Sequence, residues 1–187
     1  MRHRAWWAAA LVLTLASGCD TRTPEAQAPP PSQAAAVRTG NFNGTDLAWI
    51  QLMLPMTEQL IPMLALGAER AQAAPLRDLA GRLRDQHRTE AGELRALLTR
   101  TGLPDENPHE GHNMPGMVTP DEVTALAQAQ GPAFDEGLAT ALREYLAQVA
   151  MVSGSESKVG TDTDTLALAT RIAADRTKDL AELESAV

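Results

Sequence analysis

The sequence predicts an all-α fold, a four-helix bundle made of two tandem αα-hairpins with a short connecting helix. Three observations lead there. First, strand signals are few: aromatic residues make up 3% of the chain, β-branched runs are scarce, and Ala, Leu, Glu, Arg and Gln dominate. Second, apolar residues recur at helical spacing over long segments. Third, the chain repeats itself at a shift of 89 residues, so that LAGRLRDQHRTEAGEL (79–94) lies over LATRIAADRTKDLAEL (168–183) without a gap. Leu79 falls on Leu168, Arg82 on Arg171, Leu83 on Ile172, Glu90 on Asp179, Glu93 on Glu182 and Leu94 on Leu183. The same shift places Asp46 on Asp135, Met53 on Leu142 and Gln59 on Gln148. One register that aligns both helices of each half predicts a duplicated hairpin, and neither hairpin alone buries its apolar stripe.

Residues 1–18 read as a lipoprotein signal peptide. Arg2 and Arg4 give a positive start, and the apolar run that follows is too short to span a bilayer. It ends in Ala16-Ser17-Gly18-Cys19, where small residues suit a signal peptidase and Cys19 suits lipidation. Cys19 is the only cysteine, which excludes an internal disulfide framework and thiolate zinc sites. Residues 19–41 then form a lipidated cysteine and a disordered tether, rich in Pro, Ala, Gln and Thr and without apolar periodicity. The expected location is the extracytoplasmic face of a membrane, in a periplasm or at a cell surface. Without residues 1–18 the chain keeps 14 basic residues against 24 acidic ones, a net charge of −10. That balance argues against nucleic acid as a partner and against electrostatic binding to anionic lipid, leaving the N-terminal lipid as the expected membrane contact. It names no protein partner and no oligomeric state.

The folded domain spans 42–187, with repeat halves at about 46–101 and 133–187. The first helix is expected over 46–74, with Trp49, Leu52, Met53, Met56, Leu60, Met63 and Leu64 as its apolar stripe. Pro55 and Pro62 sit inside it and predict a bend. Pro75 opens a second helix, where its missing N–H costs nothing, and Gly102 stops that helix after Thr101. Its stripe is Leu76, Leu79, Leu83, Leu94, Leu97 and Leu98. Thr119-Pro120-Asp121-Glu122 is a capping box that starts a short helix ending near Gly131. A third long helix is expected over 133–152, a turn bracketed by Gly154 and Gly160, and a fourth helix over 163–184.

These residues resemble the bacterial exported family carrying domain of unknown function 305. The likeness covers about 42–185. It rests on Phe42-Asn43, Asp46 and Met53-Leu54-Pro55 in the first half, and on Phe134-Asp135, Gly160 and Leu168-Ala169 in the second. Met114-Pro115-Gly116-Met117 followed by Thr119-Pro120-Asp121-Glu122 fits the connector. The resemblance implies an exported, ferritin-like four-helix bundle associated with metal, copper in particular, with a Pro-His-His on each odd helix. This chain departs from that motif in both halves: Met56 and Thr57 follow Pro55, and Tyr145 and Leu146 stand at the matching place. All four motif histidines are missing, so no metal binding carries over to those positions.

Three residue sets remain as candidates. His87 with Glu90 and Arg176 with Asp179 are polar pairs on apolar stripes, superposed by the repeat register and each sharing a helix face. They form an internal ion cluster if the stripes face the bundle axis, ordinary solvent-facing pairs if they do not, or a metal site. Against the metal site stands the permanent charge of Arg176. Repulsion between unit charges about 4 Å apart is roughly 4 kcal/mol at an effective dielectric of about 20, enough to empty a weak site. The second set is Met53, Met56 and Met63, within a narrow arc of the first helix. Thioethers suit Cu(I), but methionines on an apolar stripe also serve as core filler. The third set is the loop HEGHNMPGM (109–117), whose His109, His112, Met114 and Met117 match Cu(I), or Cu(II) through the imidazoles. It is equally a Gly/Pro-rich connector whose methionines plug a bundle end. No nucleophile elbow, P-loop, dinucleotide glycine pattern or HExxH is present. The expectation is therefore a non-enzymatic lipoprotein that binds or buffers copper outside the cell, with copper as the one candidate cofactor. The alternative is a structural or interaction lipoprotein that has lost the family's metal site.

Overall fold

Five helices and no strand form among residues 40–112 and 114–187, which the computed structural model describes. They are α1 (Gly44–Arg70), α2 (Ala74–Thr101), α3 (Pro120–Gln128), α4 (Pro132–Val159) and α5 (Thr163–Ala186). The expected signal peptide, Cys19 and all but the last two residues of the tether lie outside the described residues.

The helix starts follow local chemistry. Asn43 Oδ1 accepts from the backbone N–H groups of Thr45 and Asp46, while Asp46 Oδ2 accepts from Asn43 N at 2.7 Å, closing a capping box on α1. Thr119 and Glu122 exchange the same pair of bonds at the head of α3. Gly102 ends α2 at φ +69°, a left-handed conformation that a side chain would strain. α1 runs unbroken through Pro55 and Pro62.

Two boundaries differ from expectation. α1 stops at Arg70 rather than near residue 74, and α4 continues through Gly154 to Val159. Gly154 does not open a turn because the next stretch of α4 has contacts to keep: Ser153 and Glu156 are buried against the start of α1. The repeat register accounts for both limits, since Arg70 falls on Val159 and Ala74 on Thr163. The apolar stripes are otherwise the core, except that Leu52 is half-buried while Ile50 and Leu54 are buried beside the stripe residues of α1.

α1 packs on α2 and α4 on α5 as antiparallel hairpins, and the hairpins pair through α1–α4 and α2–α5. Ion pairs fix the sense of the second contact. Arg82 meets Asp179 and Glu182 near one end, and Arg100 meets Asp164 near the other, so α2 and α5 are also antiparallel. The connection 102–131 therefore runs the length of the bundle, carrying α3 along α1 and α4. This is a ferritin-like bundle with one long crossover.

Each hairpin's turn is closed by the other hairpin. Asp135, in the first turn of α4, accepts from Gln72 N and Ala73 N, both at 2.9 Å, between α1 and α2. Asp46, in the first turn of α1, accepts from Thr161 N at 3.1 Å and Asp162 N at 3.3 Å, between α4 and α5. The 89-residue shift carries one arrangement onto the other. Backbone donors left at a helix start need such acceptors, and Ala73, the residue before α2, has no side chain to supply one. Asp135→Ala is expected to cost about 2 kcal/mol in urea unfolding, because a charged acceptor is lost from a helix start. A loss under about 0.5 kcal/mol would show that the clasp contributes nothing.

Candidate functional site

The polar pairs on α2 and α5 meet inside the bundle. His87 and Arg176 are 0% exposed, and Glu90 and Asp179 are buried with them. The Arg176 guanidinium donates from Nη2 to Glu90 Oε2 and from Nη1 to Asp179 Oδ2 at 3.2 Å. Arg82 reaches in from the α2 surface to Asp179 Oδ1 at 3.0 Å, and Gln86 Nε2 donates to Glu90 Oε1 at 3.1 Å. Both carboxylates are thus shared between a buried arginine and a donor at the rim. Burial pushes the Glu90 carboxyl above its ordinary value, and the nearby Arg176 charge acts against that.

His87 is held in one protonation state. Its Nδ1 lies 2.7 Å from the Leu83 carbonyl oxygen, which can only accept, so Nδ1 carries the hydrogen. Nε2 is then the acceptor for the Tyr145 hydroxyl at 3.0 Å. Burial and the Arg176 charge push the imidazole down to about 3, while burial pushes the Tyr145 phenol up to about 12. Both groups are neutral at neutral pH. The imidazole's contribution to stability is whole above pH 6.5 and is lost as pH falls toward about 3.

This interior does not fit a metal ion. The one accessible lone pair of His87 is used by Tyr145, and a permanent positive charge stands between the two carboxylates. Tyr145 occupies the place where the family resemblance puts a histidine, and its repeat counterpart Met56 is buried, as are Thr57 and Leu146. The sequence superposes the four polar groups on matching stripes without saying whether those stripes face inward, and it does not identify Tyr145 as the partner of His87 or Arg82 and Gln86 as rim donors. The signal for Tyr145 was present: a lone tyrosine in an apolar stripe needs a partner for its hydroxyl. Met53, Met56 and Met63 are no more than 2% exposed and pack in the core; Met53 Sδ accepts a long bond from Ser153 Oγ at 4.0 Å.

The connecting loop is a pair of tight turns. His112 N bonds to His109 O at 3.0 Å with Gly111 at φ +76°, and Met117 N bonds to Met114 O at 2.9 Å with Gly116 at φ +74°. Glycine in the third position with positive φ is the type II pattern. A Cβ on Gly116 would also fall 2.6 Å from Gln148 Cβ, so the second turn lies directly on α4. The loop's four donors divide. Met117 is buried and Met114 packs against the core, whereas His109 is half-buried and His112 exposed. His109, His112 and Met117 line one groove of about 330 Å³ together with Gln59, Gly111, Thr119, Pro120 and Asp121. Met114 is not among the residues lining it. Among the described residues, no three His, Cys, Asp or Glu side chains come together in a way that could hold a metal ion.

A ferritin-like four-helix bundle of two hairpins, with an ionic interior and a His/Met crossover loop, is the class of protein that fold and site define. The chain belongs to the DUF305 family (domain of unknown function), which matches residues 46–187. Three solved structures share the fold. A DUF305 fragment from Deinococcus radiodurans is 20% identical, with a TM-score of 0.69 over 77% of this chain and 95% of its own. A DUF305 protein from Streptomyces coelicolor, described as a candidate secreted protein, is 18% identical, with a TM-score of 0.66 over 75% and 90%. CopM in its Cu(II)-bound form is 19% identical, with a TM-score of 0.63 over 75% and 93%. Among curated proteins none matches.

Arg176→Ala is expected to destabilise the bundle by about 3–5 kcal/mol in urea unfolding, because it leaves two buried carboxylates without their counter-charge. A change within about 0.5 kcal/mol would contradict the buried cluster.

Proposed function

We propose that the protein is a non-enzymatic copper-binding lipoprotein that takes up or buffers copper ions outside the cell. The observation that carries this is the HEGH turn, whose bond between His112 N and His109 O sets two imidazoles at the ends of one turn beside a groove that Met117 also lines. Imidazoles suit Cu(II), and a thioether adds affinity for Cu(I). The Cu(II)-bound form of CopM, which shares the fold, supports copper as the ion. In this reading His109 and His112 hold the ion, Met117 is the third donor, and Met114, Met53, Met56 and Met63 serve packing. Cys19, as the lipidated residue, tethers the domain to the membrane through residues 20–41.

A second reading rests on Arg176. With its charge at the centre of the bundle, the chain would be a structural or interaction lipoprotein whose family metal site has become an ion cluster.

Titration of the protein with Cu(II) and with Cu(I) against competing chelators separates the two readings. Copper binding tighter than about 1 μM, weakened at least about tenfold by His109→Ala with His112→Ala, is the expected result. Equal affinity in the double variant would exclude the loop site, and an absence of micromolar binding would favour the second reading. For the anchor, Cys19→Ala is expected to move the protein from the membrane fraction to the soluble fraction of the cell envelope. Unchanged membrane partition would remove the lipid from the proposal.

A further inference from the structure

The two ends of the bundle are closed alike but filled differently. Near the Asp135 clasp, Gly67 lies so close to α4 that a Cβ there would fall 2.7 Å from Leu138 Cδ2, and the filling is apolar. At the other end the repeat register puts Glu156 in place of Gly67, Ser153 in place of Leu64, and Trp49 in place of Leu138. Trp49 Nε1 donates to Ser153 Oγ at 3.3 Å. Glu156 is 1% exposed, and among the described residues no backbone or side-chain N–H or hydroxyl donates to its carboxylate oxygens; the polar group it meets is the Asp46 carboxylate. Since the first end has no second acid beneath its Asp135 clasp, the fold does not require one beneath the Asp46 clasp.

Beside Glu156 lies Asp46, which is 0% exposed. A Cβ on Gly160 would collide with Glu156 Oε1 and fall 2.8 Å from Asp46 Oδ1, so both carboxylates press on the same point of the α4–α5 turn. The charged groups around them offer no relief. Asp162, from the start of α5, is itself a buried acid. Arg100, reaching over from α2, bonds to Asp162 and Asp164. Lys158, on α4, is exposed. The carbonyl end of α4 adds negative potential at Glu156, whereas the N-termini of α1 and α5 favour the charge on Asp46. Asp46 is the ionised member: burial alone would raise it, but the Asn43 N–H, a hydrogen bond from the Glu156 carboxyl, and the N–H groups of Thr161 and Asp162 outweigh burial and hold it below its ordinary value. Those N–H donors crowd its oxygens and leave a metal ion little but Glu156 to bind. Neutralisation therefore falls to a proton on Glu156.

We propose that Glu156 is a proton-operated latch where the tether enters the bundle. Protonated, it lets the α4–α5 turn close over Asp46; ionised, it repels Asp46 and loosens that turn. The turn also holds the chain's entry, because Thr161 Oγ1 donates to Asn41 O at 2.6 Å and Asn43 Nδ2 donates to Val159 O at 2.8 Å. Burial, then Asp46, push the Glu156 carboxyl up to about 7. A carboxyl raised in the folded state contributes stability that is whole below its unfolded value of 4.5 and is lost as pH rises through about 7. His87 drives the opposite trend on the acid side, so the comparison that isolates the latch is wild type against Glu156→Gln.

The test uses the full chain. Between about pH 5 and pH 8 the unfolding constant of wild type is expected to rise roughly 70-fold relative to Glu156→Gln. Amide exchange at Thr161 and Asp162, corrected for its intrinsic pH dependence, is expected to accelerate over the same interval in wild type only. Parallel profiles for the two proteins would overturn the proposal. So would stabilisation of wild type by calcium at alkaline pH that Glu156→Gln lacks, which would assign the pair to a cation. Should the variant fail to fold, carboxyl carbon NMR on wild type decides: a Glu156 midpoint near 7 supports the latch, and one below about 5.5 overturns it.

Discussion

Arg176 carries a permanent charge at 0% exposure in the centre of a four-helix bundle, and the surrounding interior is organised to neutralise it. Two carboxylates face it, one from its own helix and one from the neighbouring helix, and both are steadied by donors from α2. A buried ion of this kind is a weak source of net stability, because taking the charges out of water costs about as much as their attraction returns. What it supplies is register. Helices α2 and α5 cannot slide past one another without separating Arg176 from Glu90 and Arg82 from Asp179.

The same charge decides the chemistry of the core. The positions where the family resemblance puts imidazoles hold Met56, Thr57, Tyr145 and Leu146. The remaining histidine is neutral, spends its Nδ1 hydrogen on Leu83, and gives its lone pair to Tyr145. A cation entering here would meet a guanidinium first. Soft and imidazole donors that stay within reach of solvent lie instead on the crossover, where Gly111 and Gly116 allow two sharp turns and where part of the donor set is already committed to packing.

Duplication gives the bundle approximate two-fold equivalence, and departures from it mark where the halves have acquired separate duties. The aspartate clasps are equivalent. The fillings beneath them are not: Leu138 against Gly67 at one end, and Trp49, Ser153 and Glu156 at the other. The polar end is where residues 40–43 enter the bundle, and there Thr161 and Val159 hold Asn41 and Asn43.

Much of this was legible in the sequence, for definite reasons. Helix type, the caps at Thr119 and Gly102, and the equal register of His87–Glu90 and Arg176–Asp179 follow from local spacing and from self-comparison, which report residues near in sequence or equal in register. Asp46 and Asp135 were aligned by the same comparison, yet their role was invisible, because each acts on a turn in the other half. Gly154 reads as a break in isolation; burial of Ser153 and Glu156 against α1 overrides it. Met117 and His112 look interchangeable as donors, and only the fold separates the thioether in the core from the imidazole in solvent. Sequence by itself determined the helices, their duplication and which polar pairs share a register, since these depend on intervals of three, four and 89 residues. Tertiary structure alone decided which charges meet, which ring nitrogen carries the hydrogen and which acids are buried side by side. Those outcomes depend on distances and burial between segments far apart along the chain.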